Sequence, residues 1–220
     1  MSITTYPKID GLFARDPETK KIIPGAFRSQ EVEYFYYNDW IWTEKIDGTN
    51  IRVIWDGYTV SFAGRTNKAN IPAKLLEYLE ATFGGQANEQ LFEQKFGNMP
   101  VILFGEGYGP GIQKGGNYRD DVSFILFDVL VEDTLWLNRE SIEDIAKYFS
   151  IEAVPILAVG DMDWAINYVK THPYSQVASD NGKKNYAEGV VGVPTIMPLT
   201  RTGKRIMVKV KWEDLKELVD

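Results

Sequence analysis

The chain has 220 residues, 44% of them hydrophobic and 13% aromatic, with a formal net charge of −7. This length favours one large domain around a sizeable core. The absence of cysteine excludes disulfides, thiolate chemistry and Cys-type zinc clusters, while a single histidine, His172, excludes His-based metal cages and argues against a Ser/His/Asp triad. The acidic balance argues against a strong sequence-blind polyanion binder, whose affinity would come from counterion release, yet it leaves room for a local cationic groove. No apolar run approaches the ~18 residues of a membrane span, and the N-terminus lacks a basic-then-apolar signal pattern. A soluble, intracellular chain is expected.

In chain order, Trp40 to Ile46 and Asn50 to Trp55 read as strands, and Asp56-Gly57 is a tight-turn signal leading into a third strand, Tyr58 to Ala63. Pro72 opens a helix with Leu75, Leu76, Leu79 and Phe83 on one face, and a short helix is expected over Asn88 to Phe96. Val101 to Phe104 and Val122 to Val131 are apolar strands. Asn138 can cap a helix with Ile142, Ile145, Ala146 and Phe149 inward, and another helix follows Asp161. His172, before Pro173, reads as the end of that helix. Strands are expected near Gly189 to Val193 and Arg205 to Lys211, then a short helix from Trp212. This mixture predicts an α+β domain built on antiparallel sheets with flanking helices.

Five segments carry chemistry-bearing residues. In Glu44-Lys45-Ile46-Asp47-Gly48-Thr49-Asn50, a lysine ends an apolar strand before a Gly-containing turn. Partial burial or neighbouring cations would expose its neutral amine as a nucleophile; a surface lysine before a turn is the bland alternative. Lys209-Val210-Lys211 puts two ammonium groups on one strand face, a repulsive arrangement unless an anion joins them. Their field would act on a nearby Lys45. A Lys-decorated edge strand would look the same. Glu188 stands at the mouth of the Gly189-Val190-Val191-Gly192 strand, and Glu106 lies between Gly105 and Gly107, where backbone can approach a ligand. Ser123 to Val129 offers an aromatic able to stack on a base, although a core phenylalanine explains it equally.

In this order the segments resemble the motifs of the covalent nucleotidyltransferases: DNA ligases, RNA ligases and mRNA capping enzymes. The resemblance implies a nucleotidyltransferase fold of the ATP-grasp-like ligase type. It makes Lys45 the nucleophile, with Glu106 on the ribose, Phe127 rather than Phe124 stacking on the base, and Glu188 at the nucleotide and its metal. Lys209 and Lys211 fall on the phosphates, Arg65 of Ala63-Gly64-Arg65-Thr66 on phosphate or ribose, and Glu44, Ile46 and Asn50 complete the nucleotide site. Asn50 stands where DNA ligases and capping enzymes carry arginine, so Lys45-Ile46-Asp47-Gly48-Thr49-Asn50 is most similar to the phage and RNA-editing RNA ligases, as is Gly111 to Tyr118. Arg52 belongs to no part of that pattern.

The expected activity is ATP-dependent RNA ligation through a lysyl-adenylate, with ATP and Mg²⁺ (or Mn²⁺) as cofactors. Nicked or paired RNA ends would be the substrate in RNA repair, in a bacterial or phage-infected cell. Loop cations including Arg65, Lys114, Arg119, Lys183 and Lys184 would hold that RNA. The rival readings are a DNA ligase-like adenylyltransferase or guanylyltransferase, and a nucleotide- or RNA-binding module without transfer activity. A single adenylyltransferase domain over residues 1–220, with no oligonucleotide-binding or helical domain after Lys211, is expected, and with it an accessory RNA-binding partner.

Overall fold

The computed structural model describes residues 4–201 and 203–216. They fall into two compact units. The first takes in the chain up to Pro7 and Asp47–Val154; the second takes in Lys8–Ile46 and the chain from Pro155 on.

The second unit begins with β1 (Asp10–Gly11), β2 (Phe13–Arg15), β3 (Ile22–Phe27), α1 (Gln30–Tyr34) and β4 (Trp40–Glu44). Ser29 starts α1 by accepting the Val32 N–H, the usual role of an N-cap serine. In β4, Trp40, Trp42 and Glu44 are buried while Ile41 and Thr43 are less so, the period-2 alternation of a strand with one face on a core.

At Asp47 the chain enters the first unit: β5 (Thr49–Trp55), β6 (Val60–Gly64), α2 (Ala73–Phe83), α3 (Gln86–Phe96), β7 (Val101–Tyr108), β8 (Ser123–Val131), β9 (Leu135–Trp136), α4 (Arg139–Tyr148) and β10 (Glu152–Ala153). The β5–β6 turn forms at Asp56-Gly57, where Gly57 takes φ 101° and the Asp56 carboxylate accepts from Tyr58 and Thr59 N–H. The sheet order is β10-β8-β7-β5-β6, with β9 beside β8; every pairing is antiparallel except β10 with β8. Helices α2, α3 and α4 cover one sheet face, and Leu75, Leu79, Phe83, Phe92, Ile142 and Ile145 pack there on Ile51, Val53, Leu103, Phe124 and Leu126. Burying each such side chain contributes about 1.5–3 kcal/mol.

Two sequence expectations change here. Leu76 is only partly buried, so the inward face of α2 is Leu75, Leu79 and Phe83. Strand β7 also does not stop at Phe104. It continues through Gly105-Glu106-Gly107, because the missing side chains make room for the neighbours: a Cβ on Gly105 would lie 2.2 Å from the Phe124 ring, and one on Gly107 2.4 Å from Leu75. These glycines serve close packing inside a strand rather than a turn.

The chain returns to the second unit with β11 (Ile156–Gly160), α5 (Met162–Lys170), α6 (Gln176–Asp180), β12 (Gly189–Pro194), β13 (Val208–Lys211) and α7 (Trp212–Leu215). Its five-stranded sheet runs β1-β13-β12-β4-β11, parallel only at β1 with β13, and β2 pairs with β3 separately. Trp40, Trp42, Val190, Val208 and Val210 from the sheet pack against Met162, Ala165, Val169 and Leu215. Strand β13 is shorter than expected at its start. Elements β1 to β3, α1, β9 to β11 and α6 carried no strong sequence pattern.

Candidate active site

In the second unit the central strands place a charged cluster at one sheet end. β4 pairs Glu44 with Val190 of β12, which pairs with Val210 of β13, and the Lys45 N–H donates to the Gly189 carbonyl at 3.0 Å. Glu188 therefore stands just before β12, level with Lys45 and Lys211. Its Oε2 lies 2.7 Å from Lys45 Nζ and its Oε1 2.6 Å from Lys211 Nζ. All three side chains keep only partial exposure: 25% for Lys45, 16% for Glu188 and 28% for Lys211. Burial pushes the Glu188 carboxyl up, but Lys45 and Lys211 together outweigh it and hold it below the usual carboxylate range.

Lys209 shares the β13 face with Lys211, as their spacing predicts. Burial lowers its ammonium first, the like charges of Lys45 and Lys211 lower it further, and Asp214 and Glu188 only partly oppose them. The two β13 lysines thus differ: Lys211 is paired to a carboxylate, while Lys209 is destabilised as a cation and receptive to an anion.

The Glu44 carboxylate is engaged inside the second unit. The residue is 2% exposed, and its carboxylate accepts from the Ser175 hydroxyl and from the N–H groups of Gln176 at 2.9 Å and Val177 at 3.2 Å. Burial still raises it above the usual carboxylate value against those hydrogen bonds. The side chain ties the start of α6 to the strand that carries Lys45. Ile46, next to the lysine, is 4% exposed.

The first unit holds the remaining predicted residues on and around its six-stranded sheet. Asn50 of β5 lies opposite Glu106 of β7, so both point to the face away from α2 to α4. The Asn50 Oδ1 is buried without a hydrogen-bond partner among the described residues. Such an acceptor is costly unless a ligand donor satisfies it. Gly48 packs tightly here: a Cβ would lie 2.4 Å from the Gly107 carbonyl and 2.9 Å from Glu106 Cγ. The glycine of the Lys-x-Asp-Gly segment is therefore fixed by contact with the strand that carries Glu106. Asp47 N–H donates to the Tyr118 hydroxyl at 3.3 Å, which ties in the Gly111 to Tyr118 segment.

Phe124 is fully buried under α2, whereas Phe127 sits at a register irregularity of β8 and packs on the opposite cluster. This separates the two candidates for base stacking. Phe127 is not bare, however: Tyr6 meets its ring edge-on at 4.9 Å and donates to Asp128 at 2.8 Å. Arg65 is exposed just beyond β6.

Arg52, which fitted no sequence pattern, is fully buried and donates to Gly64 O at 2.9 Å, Thr4 O at 3.2 Å and Asn67 Oδ1 at 2.8 Å. It clamps the turn that displays Arg65 from both sides. A lone arginine in an apolar strand was the sequence signal for this clamp.

Glu188 is the carboxylate of the lysine cluster that could hold a divalent cation. Among the described residues no group of three or more Asp, Glu or His side chains could do so. The donors fit a cation whose other ligands are water and phosphate oxygens, the usual mode of Mg²⁺. No described helix is long and apolar enough to cross a membrane.

Comparison with known proteins bears on the family and the fold. The RNA ligase family model matches residues 38–211. Among solved structures, a mutant Naegleria gruberi RNA ligase with ATP and Mn is 16% identical with TM-score 0.64, over 99% of this chain and 60% of that one. The Naegleria gruberi RNA ligase with PPi is 18% identical with TM-score 0.61, over 96% and 63%. A further mutant of it with AMP and Mn is 18% identical with TM-score 0.60, over 86% and 54%. The chain thus spans less than two thirds of these proteins, and at such identities the likeness establishes the fold. The family rests on the sequence match over most of the chain: it belongs to the RNA ligase family.

Proposed function

We propose that this chain is an ATP-dependent RNA ligase that works through AMP bound covalently to Lys45. The observation that carries this reading is the Lys45–Glu188–Lys211 cluster at the end of three adjacent strands. It places one amine beside a carboxylate and further cations, an arrangement suited to attack on a polyphosphate.

On this reading the neutral Lys45 amine attacks the α-phosphorus of ATP. A nitrogen–phosphorus bond forms, the bond to the β-phosphate oxygen breaks, the amine loses its proton and pyrophosphate departs. An RNA 5′-phosphate oxygen then displaces Lys45 and takes the AMP. Finally a 3′-hydroxyl attacks that 5′-phosphorus, the phosphodiester forms and AMP leaves. Lys209, Lys211 and Arg65 would offset negative charge on the phosphates, since phosphoryl transfer depends mainly on positioning and charge neutralisation. A divalent cation (Mg²⁺ or Mn²⁺) held by Glu188 would add to that neutralisation. Glu106 would accept from the ribose and Phe127 would lie against adenine, with Asn50 Oδ1 taking a donor of the nucleotide.

RNA ends held on a complementary strand would be the substrate, with any accessory RNA-binding partner acting in their positioning. The test is to compare sealing of a nicked RNA duplex with a nick bearing a DNA 3′-hydroxyl, each with ATP and with GTP. RNA-selective, ATP-dependent joining is expected. Equal sealing of DNA ends would favour the DNA ligase-like reading instead, and nucleotide binding without any adduct would favour a binding module.

A further inference from the structure

A second feature of the lysine unit is unused by this chemistry. Trp212, His172, Tyr186 and Tyr174 form a continuous column of rings. Centroids lie 4.2 Å apart for His172 and Trp212, 4.1 Å for His172 and Tyr186, and 4.8 Å for Tyr174 and Tyr186, with interplanar angles of 6°, 20° and 16°. Lys184 Nζ sits 5.1 Å over the last ring. Near-parallel stacking with an offset is one of the preferred arrangements of aromatic pairs, and here near-parallel contacts run through four rings in succession. His172 ends α5 at φ 48°, the left-handed conformation in which helices commonly end, and its ring lies between those of Trp212 and Tyr186 in the column. A short ladder supports it through Ser175 N–H on Asn185 O at 2.8 Å and Ala187 N–H on Pro173 O at 2.9 Å.

Position and exposure give it a direction. Trp212 follows Lys211 and its N–H donates to the Glu188 carbonyl at 3.0 Å, so the column starts at the lysine centre. It ends at Tyr186 and Tyr174, which are 50% and 45% exposed. Lys183 and Lys184 add positive charge beside these rings in a chain of net charge −7. We infer that this column is a stacking platform for an unpaired nucleobase of the RNA being joined. An incoming base would replace the Lys184 ammonium on the Tyr174 face, and the ammonium would turn to that nucleotide's phosphate. Base stacking is the stronger contact at an exposed ring, and it accepts any base because each has a π face. The inference rests on the RNA ligase reading.

The experiment measures binding of a short, labelled, 5′-phosphorylated single-stranded RNA by fluorescence anisotropy, alongside self-adenylation with ATP. Tyr174→Ala and Tyr174→Leu should each weaken binding about 5- to 150-fold, Tyr174→Phe should bind like wild type, and all three should self-adenylate normally. An abasic oligonucleotide should bind the wild type and Tyr174→Ala equally. In the wild type, RNA carrying 4-thiouridine should photocrosslink to Tyr174 or Tyr186, a readout that needs no variant to fold. Unchanged binding by Tyr174→Ala, full binding by Tyr174→Leu, an equal loss on abasic RNA, or crosslinks confined to other residues would overturn the platform. Absence of self-adenylation in the wild type would instead sink the ligase reading, and the RNA-binding result would still decide on the column.

Discussion

The two units prepare their functional residues in opposite ways. In the second unit, charged side chains pair with each other: Glu188 lies within 2.7 Å of Lys45 and within 2.6 Å of Lys211. In the first, three residues around the candidate nucleotide face are held by backbone and packing: Asn50 faces Glu106 across a strand pair, Gly48 abuts β7, and Arg52 is locked to two carbonyls and an amide. On the proposed reading the lysine cluster opens its internal ion pairs to engage a nucleotide, so its groups would act by exchanging partners. On the same reading the groups of the first unit's sheet face would act from the positions that their packing gives them. Substitutions in the second unit should therefore mainly lower reaction rate, and substitutions in the first should mainly change stability and nucleotide affinity.

The largest expected effect is at Lys45. Lys45→Ala should lower adduct formation more than about a thousand-fold, the scale of losing a nucleophile, while thermal unfolding followed by circular dichroism changes little. A large drop in melting temperature would mean that Lys45 is structural and would blur the contrast between the units. Next is Glu188→Gln. Without its negative charge, Lys45 and Lys211 face each other uncompensated, and adduct formation should fall about a hundred-fold, in the range of losing one preorganised electrostatic partner. Single-turnover adenylation rates check it, and a rate within a few-fold of wild type would show that the triad is incidental.

Arg52→Met tests the first unit. Losing the charge-assisted hydrogen bonds to Gly64, Thr4 and Asn67 in a buried setting should cost about 2–4 kcal/mol of stability in denaturant unfolding. Hydrogen exchange should rise at 64–67, and adenylation of the folded fraction should fall less than in Glu188→Gln. If the rate falls further than the stability loss accounts for, Arg52 acts in the chemistry itself.

The smallest effect is a difference in pH dependence between two carboxylates of the lysine unit. Glu188 is depressed in the fold, so its contribution to stability is present above the ordinary carboxylate range and is lost as pH falls through its lowered value. Glu44 is raised, so the folded state gains relative stability as pH falls through its value and loses it as pH rises. Compared with wild type, Glu188→Gln should lose stability less steeply on acidification and Glu44→Gln more steeply. Each difference is limited to one proton, about 1.4 kcal/mol per pH unit. Parallel stability curves from pH 3 to 6 would mean that neither carboxylate is coupled to folding as described.

The same contrast explains what the sequence made legible. Charge at a strand end is visible in a linear string, so Lys45, Glu188, Lys209 and Lys211 could be singled out, and the period-2 spacing of the β13 lysines sufficed to put them on one face. The strand–turn–strand around Asp56-Gly57 and the caps at Asn138 and Asp161 were likewise local. What was hidden depends on pairing across the chain. Glu44 reads as a neighbour of the nucleophile, but its partner Ser175 is 131 residues away. Arg52 reads as an anomaly in an apolar strand until Gly64 and Asn67 return beside it. His172 reads as a helix end, and it does follow α5, but its ring neighbours come from Tyr186 and Trp212, which no local pattern connects. Phe124 and Phe127 stand three apart in β8, so strand alternation already puts them on opposite faces, but which face carries the helices depends on pairing across the chain.

The central claim is that Lys45 becomes covalently adenylated. The direct measurement is intact-protein mass after incubation with ATP and Mg²⁺, followed by peptide mapping under conditions that preserve the phosphoramidate. The account predicts a gain of one AMP, located on Lys45, absent in Lys45→Ala and released by pyrophosphate. An unmodified protein, or AMP carried on any other lysine, would contradict it.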